Sequence, residues 1–375
     1  MKVPFLDLQA QYRSIKQEVD PAIHQVLDSS AYVLGKAVTD FEASFAAVHG
    51  VKHCLGVSSG TDGNHMVLWA LGLGPGDEVI MPANTFIATA WGATLCGATP
   101  VFVDCDPVSY NIDPAQAEAA ITAKTRAIVA VHLYGQPADM DPLRQIADKH
   151  GIKLVEDCAQ SHMSEYKGKP VGGLSAASSF SFYPGKNLGA YGEGGAVASN
   201  DDALALRFKM IRDHGAQQKY RHEIYGHNYR MEGIQGAVLG VKLQHLAAWT
   251  EARRSVAAKY RARLAGCDGV IVPAELPYAR HVYHLFVIQV REGGSERRDQ
   301  LAKHLNDREI STGLHYPIPL HLQPCFEGLG YRPGRFPVTE RLAQHGLSLP
   351  MFAELTDQQI DHVCDSLRSF FSAGR

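Results

Sequence analysis

A lysine ahead of a glycine-rich run and a carboxylate closing an apolar segment are the residues in this chain best suited to act together. Lys186 stands in Ser181-Phe182-Tyr183-Pro184-Gly185-Lys186-Asn187, followed by Gly189, Gly192, Gly194 and Gly195. Upstream, Asp157 ends the run Ile152-Lys153-Leu154-Val155-Glu156-Asp157. A lysine amine buried near other groups loses its proton more easily and becomes nucleophilic. A carboxylate at a strand end keeps a heterocyclic nitrogen protonated. Pyridoxal phosphate chemistry requires both: an amine for the Schiff base and an anion that makes the ring an electron sink. A lone loop lysine is ordinarily a solvated charge, but the flanks argue otherwise. Ser178 to Tyr183 alternate small polar with aromatic side chains, as a half-buried strand does, and Pro184-Gly185 is a turn that presents the next side chains.

Other segments bear on the same chemistry. Ser58-Ser59-Gly60-Thr61-Asp62-Gly63-Asn64 joins a strand to a helix that begins near Thr61. Free N–H groups at a helix start, with glycine allowing close approach, cradle an anion such as phosphate, and the hydroxyls of Ser59 and Thr61 can add donors. An ordinary helix cap is the plainer alternative. The Gly-Lys-Ser/Thr ending of a Walker loop is absent. Phe86 follows another strand end and can stack on a flat ring or pack in the core. Gln160 can hydrogen-bond a phenolic ring oxygen or face solvent. His315, Tyr316 and His321 cluster in a proline-bounded segment that can overhang a cleft and hold a polar substrate, or pack as plain loop. The spacings His49-x3-His53 and His281-x2-His284 resemble ligand pairs but lack a third ligand nearby, so no metal is expected.

These residues need a scaffold, and between about 50 and 200 the chain repeats strand, turn and helix. Strands are predicted at 54–57, 78–81, 100–104, 127–131, 153–157, 177–181 and 195–198, with helices over 61–73, 84–96, 114–122, 140–150 and 201–214. Continuous apolar strands alternating with helices predict an α/β fold with a mostly parallel central sheet covered by helices on both faces. Ligands of such sheets bind beyond the carboxyl ends of the strands, where Thr61, Phe86, Asp157 and Ser181 fall. A long helix over 232–265 leads to a smaller C-terminal α+β region, with strands at 281–290 and 313–315 and helices at 296–308 and 355–371. The chain is therefore expected to divide into a large cofactor-binding domain (1–250, with an N-terminal arm over 1–30) and a small domain (251–375). The apolar helical face of Ala22 to Leu27 predicts that the first forty residues pack on the body.

Composition narrows the function classes. A formal charge of -3 and the lack of any dense Lys/Arg run argue against a nucleic-acid partner. No stretch is long and apolar enough for a membrane span or signal peptide, so a cytoplasmic protein is expected. Seven scattered cysteines without a C-x-x-C pair predict reduced thiols.

Taken together, the chain resembles the DegT/DnrJ/EryC1/StrS family of sugar aminotransferases, within the fold-type I, aspartate aminotransferase-like superfamily of pyridoxal phosphate enzymes. The likeness runs from Val3-Pro4-Phe5-Leu6-Asp7-Leu8 through Ser59-Gly60-Thr61-Asp62, Gly74-Pro75-Gly76-Asp77-Glu78-Val79 and His132-Leu133-Tyr134-Gly135-Gln136. It continues in Glu156-Asp157-Cys158-Ala159-Gln160, Ser181 to Asn187 and His315-Tyr316-Pro317, and ends at Leu347-Ser348-Leu349-Pro350-Met351. It implies Lys186 as the Schiff-base lysine, Asp157 as partner of the pyridinium nitrogen and Gln160 as contact to the ring oxygen. Gly60, Thr61 and Ser181 would bind the phosphate, with Ser59 a further candidate cofactor contact, and Phe86 would stack on the ring. Asn228 would reach the neighbouring subunit's phosphate, implying a homodimer with shared sites, although Gly233 after Glu232 departs from the usual local pattern. Tyr183, Asn187, His315, Tyr316 and His321 are the candidate substrate contacts. Asp62-Gly63-Asn64 replaces the commoner Asp-Ala-Leu, a departure that on this reading bears on the helix start rather than on chemistry.

The run Lys186 to Gly195 is similar to the loop of members that aminate C3 of a 3-keto sugar nucleotide. The resemblance thus implies transfer from L-glutamate, through pyridoxamine phosphate, to a nucleotide-linked keto-deoxysugar. A 4-keto sugar nucleotide, a cyclitol or an aminobenzoate-precursor ketone remain alternatives. Family dehydratases usually carry histidine where Lys186 stands.

Overall fold

Side-chain caps and apolar β-branched runs set the elements of this chain. The computed structural model describes residues 1–372. Two helices open it, α1 (Leu8–Ser29) and α2 (Lys36–His49). Asp7 caps α1 by accepting from the Ala10 N–H at 2.8 Å. Strand β1 (His53–Val57) leads into α3 (Gly60–Ala70), capped by Ser59. The alternation continues through β2 (Glu78–Pro82), α4 (Ala88–Leu95), β3 (Thr99–Val103), α5 (Pro114–Ala119) and β4 (Thr125–Val131). Next come α6 (Met140–His150), β5 (Lys153–Asp157) and a short hairpin of β6 (Glu165–Tyr166) with β7 (Lys169–Pro170). Strands β8 (Ala177–Ser181) and β9 (Gly195–Ser199) then flank the lysine loop, before α7 (Asp202–Arg212).

Seven of these strands form one sheet in the order β1-β9-β8-β5-β4-β2-β3. β9 runs antiparallel to both β1 and β8, and every other pairing is parallel, so six strands point one way and β9 opposes them. Val79, Ile80 and Met81 of β2 and Ala196 to Ala198 of β9 are fully buried, as expected for strands covered on both faces. The carboxyl ends of the co-directional strands gather on one edge of the sheet. There β1 delivers Ser58 to Thr61, β5 delivers Asp157 and β8 delivers Ser181.

After the hairpin of β10 (Ala216–Gln218) and β11 (Arg221–His222), the long helix α8 (Gly233–Leu264) leaves the sheet. It leads to β12 (Val270–Ile271), β13 (Ala279–Arg280), β14 (Phe286–Val290), α9 (Gly294–Asn306), α10 (Pro337–His345), β15 (Gly346–Leu349) and α11 (Asp357–Ser372). Strands β12, β14 and β15 make a second, antiparallel sheet, and Phe286 and Ile288 pack with Tyr260, Leu301 and Ile360. The N-terminal residues lie on the body: the Val3 N–H bonds to Glu309 O at 2.9 Å, and Ile15 and Val19 of α1 meet Val238 of α8. Among the described residues, no helix is long and apolar enough to cross a membrane, and all seven cysteines are free.

Two expected strands differ. Residues 281–285 do not continue a strand into β14, because the Val282 and Leu285 N–H groups bond to Gly135 O and Tyr134 O. The segment wraps around the Leu133–Gly135 turn instead, which carries His284 to the sheet edge. At 313–315 only Gly313 pairs, bridging to Ser348.

Gly195 starts β9 hard against the turn before α3. A Cβ there would sit 2.4 Å from the Ser59 backbone, well inside van der Waals contact. Gly195→Ala is expected to destabilise the fold by about 2 kcal/mol, seen as a lower urea midpoint; an unchanged midpoint would contradict this packing.

Candidate active site

The sheet edge opens into a cavity of about 660 Å³ whose wall includes Asp157, Lys186, Ser59, Gly60, Thr61 and Ser181. Phe86, Gln160, Tyr183, His315 and Tyr316 face the same space. Folding thus brings together eleven of the residues singled out from the sequence. All but His315 and Tyr316, which come from the loop after Gly313, arrive from a strand end or the segment that follows it.

Asp157, only 4% exposed, is held by three donors. Its Oδ2 accepts from Asn64 Nδ2 at 3.0 Å and Thr89 Oγ1 at 2.8 Å, and its Oδ1 from the Ala159 N–H at 3.1 Å. A buried carboxylate without such donors would be strongly unfavourable. Lys186 follows a turn closed by its own N–H bonding to Tyr183 O at 2.8 Å. Burial lowers its amine from 10.5 to about 8, partly offset by the charge of Asp157. The amine therefore exchanges its proton near neutral pH.

Gln160 is fixed from both ends: its Oε1 accepts from the Tyr134 N–H at 2.7 Å and its Nε2 donates to Tyr316 Oη at 2.9 Å. Burial raises the Tyr316 phenol well above its ordinary value, against the pull of that bond. The Tyr316 ring lies 5.6 Å from that of Phe86, which is half exposed to the cavity. His315 stacks on Phe5 and bonds through Nδ1 to Ser348 Oγ at 2.8 Å. Burial, then the nearby charge of Lys186, lowers its imidazole to about 4.

The turn before α3 has the geometry of an anion cradle. A Cβ on Gly60 would lie 2.6 Å from Ser181 Cβ, so glycine lets the helix start close on β8 with its first N–H groups at the cavity. Ser59 plays a different part from the one expected. Its hydroxyl donates to Asp62 Oδ2 at 2.8 Å and accepts from the Asp62 N–H at 3.1 Å, so its proton is committed to the cap.

Three predicted residues lie away from the cavity wall. Asn187 is buried behind it, bonding Val282 O at 3.0 Å and His284 Nδ1 at 3.3 Å. His321 is turned away by the short helix Leu320–Leu322 and pairs with Glu340 at 3.0 Å, beside Phe336. Asn228 is exposed, outside this chain's own cavity. Conversely, Asn64, Thr89, His284 and Glu193 line the wall unanticipated. His284 had stood out only as half of a ligand-like spacing, and Asn64 as a departure from the family pattern; Asn64 bears on the site itself and not merely on the helix start.

Elsewhere His132, Glu156 and Cys158 bring ligand-type atoms within 4.8 Å of one another. Hydrogen bonds already engage both His132 nitrogens, with Glu156 at 3.1 Å and the Ala138 N–H at 3.0 Å. Burial would push the Glu156 carboxyl up, but bonds from His132, Gly172 and Ser175 hold it below its usual value.

The donor set fits pyridoxal phosphate. A desolvated amine, an anchored carboxylate and a cradle that a Cβ would fill stand around one cavity, with Phe86 and Gln160 between them.

Known proteins are similar to this chain over nearly its whole length. Residues 13–368 match the DegT/DnrJ/EryC1/StrS aminotransferase family. A dTDP-3-amino-3,4,6-trideoxy-alpha-D-glucose transaminase from Streptomyces venezuelae is 46% identical over 98% of this chain and 96% of its own. A pleiotropic regulatory protein from Geobacillus stearothermophilus is 47% identical over 99% of both. The crystal structure of S. venezuelae DesV with a ketimine intermediate aligns with TM-score 0.96 and 46% identity, covering 99% of this chain and 98% of that one. NtdA from Bacillus subtilis with bound cofactor PMP aligns with TM-score 0.91 and 32% identity, covering 99% of this chain and 85% of that one.

The Lys186 amine gives the cofactor-free protein a defined pH dependence. An unfolded lysine keeps its proton to about 10.5, whereas folded Lys186 releases it near 8. Between those values the unfolded state binds more protons, so stability should rise with pH across the window and level off above it. Below about 8 both states are protonated and the burial penalty is constant, at most about 3 kcal/mol. Lys186→Met should therefore melt higher at pH 7 and show a flatter rise from pH 8 to 10.5; parallel melting profiles would contradict the assignment.

Proposed function

The chain belongs to the DegT/DnrJ/EryC1/StrS aminotransferase family, and from that premise we propose that it carries an amino group from L-glutamate to C3 of a nucleotide-linked 3-keto deoxysugar. It is a pyridoxal phosphate-dependent aminotransferase of fold type I. The observation that carries the reading is the Lys186 amine, its pKa lowered by burial, sharing a cavity with an Asp157 carboxylate anchored by three donors.

Pyridoxal phosphate, when bound, would supply an electron sink and a carrier for the amino group between donor and acceptor. Lys186 would tether it, Asp157 would face its ring nitrogen, and Gln160 would meet its ring oxygen. Gly60, Thr61 and Ser181 would take the phosphate, with Ser59 holding their turn, and Phe86 would cover one ring face. Lys186, when free, takes the proton from the substrate carbon of the donor and returns one to the carbon of the acceptor. Its amine, lowered to about 8, suits both directions near neutral pH. Tyr183, His315 and Tyr316 would orient the sugar, His315 as a neutral imidazole that can either donate or accept. Asn187 supports this wall through His284 rather than touching substrate.

The same reading makes the working unit a cytoplasmic homodimer in which Asn228 serves the neighbouring subunit's phosphate site. It divides the chain near residue 250, into a larger cofactor-binding domain and a smaller one that closes the cavity with His315 and Tyr316. The C3 position rests on the Streptomyces relative and on the Lys186 to Gly195 loop. A sensing role is suggested by the name of the Geobacillus relative, but Lys186 favours catalysis.

With pyridoxal phosphate and L-glutamate, the protein should convert a dTDP-linked 3-keto-6-deoxyhexose to its 3-amino product and release equimolar 2-oxoglutarate, while leaving the 4-keto isomer largely untouched. Lys186→Ala should lower turnover by about a thousandfold or more. Preference for the 4-keto isomer would refute the C3 assignment, and undiminished turnover by Lys186→Ala would refute the mechanism.

A further inference from the structure

Both ends of the Asn64 amide are engaged beneath Asp157. Its Nδ2 donates to Asp157 Oδ2 at 3.0 Å and lies 3.4 Å from Ala88 O, while its Oδ1 accepts from Ser179 Oγ. The amide orientation is forced. A carboxylate and a carbonyl can only accept, so the NH₂ must face them and the oxygen must face the serine hydroxyl. The group is also buried: Asn64 is 6% exposed, Thr89 2% and Ser179 1%.

Two glycines let Asn64 reach. A Cβ on Gly63 would lie 3.3 Å from Ser179 Cβ and 3.4 Å from Ala196 O, so α3 sits close on β8 and β9. A Cβ on Gly92 would lie 3.0 Å from Asn64 O and 3.1 Å from Asn64 Cβ, so α4 sits close on the turn of α3 that carries Asn64. Asn64 is thereby clamped between a strand and a helix. Leucine would fill the same volume and donate nothing.

We propose that Asn64 is a positioning residue for the cofactor, holding Asp157 Oδ2 jointly with Thr89 so that the carboxylate is fixed toward the ring nitrogen. The proposal rests on the pyridoxal phosphate reading above. Asn64 acts through Asp157 and touches neither the proton in transfer nor the sugar. Its effect belongs on cofactor affinity and on kcat, not on the KM for the sugar nucleotide.

The test is a double-mutant cycle on the full-length protein, with pyridoxamine phosphate as the probe because it forms no covalent bond to Lys186. Asn64→Leu should weaken its binding about tenfold, the scale of one hydrogen bond to a charged group. In the Asp157→Ala background the same substitution should change binding by less than about twofold. Asn64→Ala, which adds no bulk, should show the same coupling, and thermal melting verifies that each variant is folded. An equal loss in both backgrounds would reduce Asn64 to packing, and no loss in either would remove it from the site; both results overturn the proposal. Failure of the wild-type protein to bind pyridoxamine phosphate would instead refute the functional reading itself.

Discussion

Two buried carboxylates and one amine partly enclosed in the cavity wall set the terms for this structure. Glu156 and Asp157 are neighbours at the end of β5, so strand geometry sends their side chains to opposite faces of the sheet. Glu156 is completely buried and accepts from His132, the Gly172 and Leu174 N–H groups and Ser175, tying the segment before β8 to the sheet. Asp157, on the other face, takes its donors from α3, α4 and the Ala159 backbone. Buried charges persist only when their lone pairs are satisfied. One strand end thus braces the fold on one side and presents an anion to the cavity on the other.

The lysine loop is restrained as firmly. Asn187 is fastened to Val282 O, the Ala190 N–H bonds to Phe182 O at 2.7 Å, and Lys242 of α8 donates to Gly189 O at 2.7 Å. Gln235, also on α8, accepts from the Tyr191 N–H at 2.9 Å. Helix α8 therefore stiffens the loop that presents Lys186 as well as joining the large sheet to the C-terminal layer. A fixed amine can meet the reacting carbon of donor and acceptor at the same place in each half-reaction.

Much of this was legible in the sequence because it is local. Continuous apolar runs and helical patterns located most strands of the large sheet and the helices around it, and the strand-end rule placed Thr61, Phe86, Asp157 and Ser181 at one edge. What escaped is long-range. The pairing of Asn64 and Thr89 with Asp157 spans 93 and 68 residues, and no local pattern encodes it. His284 enters the cavity because the 281–285 segment bonds to the Leu133–Gly135 turn rather than continuing a strand. His321 was grouped with His315 by proximity along the chain, yet a short helical turn sends it to Glu340. Ser59 has the right residue type for a phosphate donor, but its hydroxyl serves the helix cap.

Chemical mapping of the tethering nitrogen tests the central claim most directly. Protein loaded with pyridoxal phosphate should be reduced with borohydride, digested and sequenced by mass spectrometry. The account predicts a stable phosphopyridoxyl adduct on the peptide containing Lys186. An adduct confined to another lysine, such as Lys242, whose burial also lowers its amine to about 8, or no adduct at all, would contradict it.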